Sequence, residues 1–283
     1  MILKYVTSRF KVKSVEYKIM KRYIFTLLVF ILVNGLVSNA QKLPQTQQNS
    51  IWLENFEADG KLDEWQQPLQ AYNDDTYIAY SLANDDQYLY LAVKSNRWSK
   101  ILQTSMVFEV IDLDGKPVSV TFPKKIEVSP PRFDLEKIMT KNTEIKSNVD
   151  GIQNIQEVGI MGIDEIKEEA IPLLNEYGIE VGVMELLEES DVYPSGELYY
   201  LIEMAIPLLY FKIKDINQVE QLDYRIILNG KVPTDIQRAT LSQPRKASGG
   251  ISQKLANAIY EKEVDMFTKT DLNGTYRLAT KPD

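Results

Sequence analysis

Asp59-Gly60-Lys61-Leu62-Asp63-Glu64-Trp65, followed by the runs Thr76–Leu82 and Gln87–Val93, is the stretch on which the fold turns. An acidic-glycine turn leads into a tryptophan, and two strand-like segments then meet at Asn84, Asp85 and Asp86. Ile78, Tyr80 and Leu82 alternate in the first run. In the second, Leu89, Leu91 and Val93 fall on one side and Tyr88, Tyr90 and Ala92 on the other. Period-two apolar residues bounded by Asn, Asp and Gly predict a β-hairpin with both faces at least partly covered.

Working outward, the same alternation recurs. Met106, Phe108 and Val110 share a face within Gln103–Asp112. The turn Asp112-Leu113-Asp114-Gly115-Lys116 has hairpin chemistry, because Asp-Gly tolerates positive φ, and Pro117–Phe122 returns as its partner. After Gly178, Ile179, Val181 and Val183 form one face, and Leu198, Tyr200, Ile202, Met204 and Ile206 another. Leu222, Tyr224, Ile226 and Leu228 continue the pattern, and Phe267 and Gly274–Ala279 supply a closing segment. Ile51–Phe56 is a further strand candidate. With no βαβ rhythm, these strands predict an all-β fold, an antiparallel, jelly-roll-like β-sandwich.

Other segments break the pattern. Residues 124–175 read as a long loop and helical insertion, with short helices near Asp134–Lys141 and Asp164–Asn175, the second interrupted by Pro172. Residues 233–263 are polar, contain Gly249-Gly250 and read as a mobile loop. Gln41–Ser50 reads as a disordered leader. Before it, Met20-Lys21-Arg22, the apolar run Tyr23–Val37 and Ser38-Asn39-Ala40 have the layout of a secretory signal peptide cleaved after Ala40. The apolar run is short for a lasting membrane anchor, and Met1–Ile19 is read as an upstream extension with Met20 the true start. The domain expected after cleavage is a single β-sandwich over residues 51–283, secreted or periplasmic.

Composition excludes several function classes. Losing the first forty residues, with seven Lys/Arg and one Glu, takes the formal net charge from −8 to −14. Such acidity argues against nucleic acid, whose phosphates need a basic face, and against anionic membrane surfaces. The chain has no Cys and no His. Disulfides, ordinary zinc sites, His-ligated haem and Ser-His-Asp or Cys-His catalysis are therefore absent, while oxygen-ligand metals and paired carboxylates remain open.

Three segments resemble one family. Ala58–Trp65 is similar to the opening of the family 9 carbohydrate-binding modules and their DOMON-like relatives. Asn84–Val93 is similar to that family's next strand, and Glu203-Met204-Ala205-Ile206-Pro207-Leu208 to its late E-x-x-I-P strand end. The similarity spans most of Ile51–Asn229, and Asp265-Met266-Phe267 resembles the ending of related exported proteins of Bacteroidetes type. The resemblance implies a jelly-roll-like sandwich and, in some members, sugar, haem or calcium. Ser105 stands where many members carry glycine, the missing His removes the usual haem ligand, and the insertion separates the halves.

Trp98, between Asn96, Arg97 and Lys100, is the predicted sugar platform, an aromatic face beside hydrogen-bond donors. Its bland reading is a loop Trp tucked against the sandwich edge. Trp65 and Trp52 read as core residues. Asp85, Asp86, Asp112 and Asp114 are candidate calcium ligands if their loops converge, with turn formation their default explanation. Glu185, Glu188, Glu189 and Glu203 are the carboxylates from which a glycosidase pair would be drawn. The expected function is a non-catalytic exported binding module for carbohydrate. The alternatives are a structural or interaction sandwich that recognises an envelope protein and, third, a glycoside-active enzyme.

Overall fold

The computed structural model describes residues 42–124, 155–241 and 251–282. The expected signal-peptide cleavage after Ala40 and the expected helix at Asp134–Lys141 lie outside them. From Pro44 onward the chain forms one unit built of two antiparallel sheets. The first holds β1 (Ala71–Asn73), β2 (Ile78–Asn84), β3 (Tyr88–Ser95), β8 (Glu180–Glu188) and β9 (Glu197–Pro207), in the order β1-β2-β3-β9-β8. The second holds β4 (Met106–Ile111), β5 (Pro117–Phe122), β6 (Glu157–Met161), β7 (Ala170–Pro172), β10 (Leu222–Leu228) and β11 (Thr270–Tyr276), in the order β11-β10-β4-β5-β6-β7. The arrangement is the predicted β-sandwich, not closed into a barrel.

The alternation seen in the sequence fills the space between the sheets. Ile78, Tyr80, Leu82, Leu91, Val93, Ile202 and Met204 from one side meet Met106, Phe108, Val120, Phe122, Ile226 and Leu228 from the other, all essentially buried. Each such side chain contributes about 1.5–3 kcal/mol by leaving water. A buried contact between the hydroxyls of Tyr80 and Tyr224, 2.8 Å apart, joins the two layers.

The outer face of the five-stranded sheet is covered too, which explains why β2 and β3 are apolar on both sides. Leu53, Leu62, Trp65 and Leu69 pack over Ala83, Tyr90, Ala92, Leu201 and Ala205. Phe56 stacks on Tyr90, ring centroids 4.4 Å apart, and meets Trp65 edge-on. This cover lies so close to β8 that a Cβ on Gly60 (φ +82°) would sit 2.6 Å from the Met184 nitrogen, and one on Gly182 2.1 Å from the Ala58 oxygen. Only glycine fits at either position.

Several expectations are corrected. The Asp164–Asn175 helix is absent: Ala170–Pro172 forms edge strand β7, where a missing Pro172 N–H is harmless, and Leu174 is 94% exposed. Within the segment 233–263, expected as a mobile loop, the described residues include two helices, α2 (Asp235–Leu241) and α3 (Gln253–Asp265). Ser252 caps α3 by accepting the Leu255 N–H at 3.1 Å, and Leu255, Ala256 and Ile259 give it a short buried face, with Leu255 and Ile259 clustering with Tyr193. The leader from Pro44 is ordered. The Gln47 amide donates to Leu82 O at 2.8 Å and accepts its N–H at 2.6 Å, pairing a stretch of β2 that short β1 leaves uncovered. Ile51–Phe56 makes only a single parallel bridge, Trp52 to Asn84. Among the described residues no helix is long and apolar enough to cross a membrane.

Candidate functional site

The predicted sugar platform is the first place to look. Residues 98–104 are not loop but a helix, α1 (Trp98–Thr104), which delays the following strand to Met106. Helical geometry turns Trp98 onto the core, where its ring lies 6.0 Å from that of Tyr200. Lys100 is only 2% exposed, and its ammonium donates to Asp265 Oδ1 at 2.8 Å and Thr270 Oγ1 at 3.1 Å. Burial pushes the Lys100 pKa down against the pull of Asp265.

Arg97 is equally enclosed. Its guanidinium rests on the Tyr77 ring, 3.6 Å from the centroid. Its Nε lies 3.1 Å from Asp265 Oδ2, an ion pair out of line for a hydrogen bond. Asn96 donates to Glu197 Oε1 at 2.8 Å, and Lys262 donates to the same oxygen at the same distance. Burial would raise the Glu197 carboxyl, but Lys262, Asn96 and Tyr199 outweigh it and hold the pKa below its ordinary value. Asp265 and Lys262 belong to α3. Asn96, Arg97 and Lys100 thus form the socket for α3, and their polar groups are turned inward rather than towards a ligand.

The other sequence candidates also resolve into particular contacts. Asp85 Oδ1 accepts the N–H groups of Gln87 and Tyr88, both at 2.7 Å, and Tyr90 donates to Oδ2 at 2.6 Å. Asp112 Oδ1 accepts from Asp114 N and Lys116 N, while the Lys212 ammonium takes up Asp112 Oδ2 at 3.0 Å and also pairs with Asp114. The turn reading holds for both loops. Among the described residues no group of three or more acidic side chains gathers as metal ligands, so Asp85, Asp86, Asp112 and Asp114 do not converge on a calcium site.

The four glutamates likewise do not share a cleft. Glu185 lies on the inner face of its sheet, where Tyr200 OH donates to it at 3.3 Å, and Glu203 on the opposite face. Glu188 pairs with Lys94 at 2.6 Å, and Glu189 is exposed beyond the strand. Glu203 is fully buried beneath the cover, accepting Gly60 N–H at 2.6 Å and Trp65 Nε1–H at 2.7 Å. Burial, opposed by these two donors and reinforced by Glu64 and Asp59, raises its pKa to about 7. The opening turn and the E-x-x-I-P strand end are therefore two halves of one internal clasp.

An open cleft among the described residues lies elsewhere. Its volume is about 710 Å3, and it is lined by Trp52, Glu54 and Asn55 from the entering segment and by Asp85 and Asp86 from the β2–β3 turn. Lys214 to Asn217, Thr280 and Lys281 complete it. Trp52, expected in the core, is half-buried here. Its Nε1 donates to Glu54 Oε1 at 3.1 Å, and the Lys281 ammonium sits on the same oxygen at 2.9 Å, so the indole edge is fixed. Its backbone is fixed as well, by Leu53 N to Asn84 O and Asn84 N to Ile51 O, each 3.0 Å. Residues from four distant parts of the chain meet in this cleft, and no local sequence pattern announces them; the tryptophan beside Glu54 and Asn55 was the one available signal. No protein-family model and no curated protein matches the chain.

Proposed function

We propose that the protein is an exported, non-catalytic β-sandwich binding module whose ligand is carbohydrate, bound in the Trp52 cleft. The observation that carries this reading is the cleft itself: an indole clamped at its N–H edge, set among amide, carboxylate and ammonium groups. Sugars present C–H faces that rest on an aromatic ring and hydroxyls that exchange hydrogen bonds with such groups. Export is supported by the basic, apolar and small-residue layout of Met20–Ala40. The platform moves from Trp98, which packs against Tyr200, to Trp52.

A glycan array followed by titration calorimetry tests the proposal. Trp52→Ala should abolish measurable binding of the glycans the wild type captures, with little change in melting temperature. Undiminished binding by Trp52→Ala, or a wild type that binds no glycan, would overturn it. Failure across the whole array would transfer the lead to recognition of an envelope protein.

A further inference from the structure

The charge of the cleft narrows the ligand class, an inference that rests on the carbohydrate reading. Four carboxylates line it, Glu54, Asp85, Asp86 and Asp215, against two ammonium groups, Lys214 and Lys281. Lys281 is engaged by Glu54, and Asp85 and Asp215 spend oxygens on the N–H groups of their own turns. Asp86 differs: it is exposed, and among the described residues its side chain makes no hydrogen bond or ion pair, feeling only the nearby charge of Lys281, which Glu54 already engages. The Trp52 N–H is committed to Glu54, so what the half-buried indole has left for a ligand is its ring, whose π system attracts cations as well as C–H groups. We propose that the cleft takes an amino sugar, its ring on Trp52 and its ammonium received by Asp86.

Three tetrasaccharides of related size separate the outcomes by calorimetry on the purified protein: β-1,4-linked glucosamine, its fully N-acetylated counterpart and galacturonate. The glucosamine tetramer should bind about two- to fivefold more tightly than the acetylated one at low salt, the scale of exposed ion pairs. The advantage should vanish near 1 M salt, where the screening length falls to about 3 Å. Asp86→Asn should remove it as well, whereas Lys214→Gln, which deletes a competing cation, should enlarge it. Equal or tighter binding of the acetylated sugar, or preference for galacturonate, would overturn this inference and leave the carbohydrate reading standing. Binding of none of the three, with no other glycan captured, would overturn both.

Discussion

Glu203 makes the stability of the fold depend on pH in a way that can be isolated. Its carboxyl is fully buried between the cover segment and the five-stranded sheet, with a pKa of about 7 against an ordinary 4.5. A group whose folded pKa is raised favours the folded state while protonated. Its contribution is complete below pH 4.5 and is lost as pH rises through 7, because the unfolded chain releases the proton first. Two and a half pH units at about 1.4 kcal/mol each give a loss of about 3 kcal/mol across that window. The chain contains no histidine, so the side chain that normally titrates there is absent and the background is low. Urea denaturation of wild type and Glu203→Gln from pH 4.5 to 8 provides the assay. The variant should cost about 1–3 kcal/mol at low pH, since one of the two N–H donors faces an amide NH2 instead of an oxygen. Across the window its stability should then fall less than that of wild type by about 3 kcal/mol. Parallel curves for the two proteins would refute the reasoning, as would a wild-type stability that rises from pH 5 to 7.

Two further outcomes follow from buried partners. Asp265→Asn leaves Lys100 and Arg97, 2% and 6% exposed, without their counter-charge, and should cost about 3–5 kcal/mol by denaturant titration; a loss under about 1 kcal/mol would mean that α3 is not held by these pairs. Trp65→Ala empties the centre of the cover and removes one of the two donors to Glu203, and should cost about 3–5 kcal/mol; an unchanged melt would contradict its burial.

Period two was enough to place the sandwich in the sequence, because strands such as Met106–Ile111 and Leu222–Leu228 bury alternate residues against a full partner sheet. The double-sided apolar character of Tyr88–Val93 correctly implied a second covering layer, and the burial of Trp65 was legible in its place after the turn. Short or polar elements were not. Edge strand β7 has three residues, and α3 buries only four of thirteen, too few for a periodic signal against its charged background. The polar residues around Trp98 looked like a solvent-facing group because their partners lie far along the chain: Asp265 is 165 residues from Lys100. The same distance effect concealed the Trp52 cleft, whose walls run from residue 52 to residue 281.

Asn84 has a mechanical consequence. Its backbone holds Ile51 and Leu53 where the chain enters, and its buried amide holds Ala279, accepting the Ala279 N–H at 2.7 Å and donating to its carbonyl at 3.0 Å. Tyr276 OH ties the same oxygen to the Ile51 carbonyl. Asn84 thus links the leaving segment, held by its side chain, to the entering segment, held by its backbone. Peeling the leaving segment therefore slackens the entering one, and with it the support beneath Trp52. A pull on the leaving segment should loosen the Trp52 cleft before it disturbs either sheet.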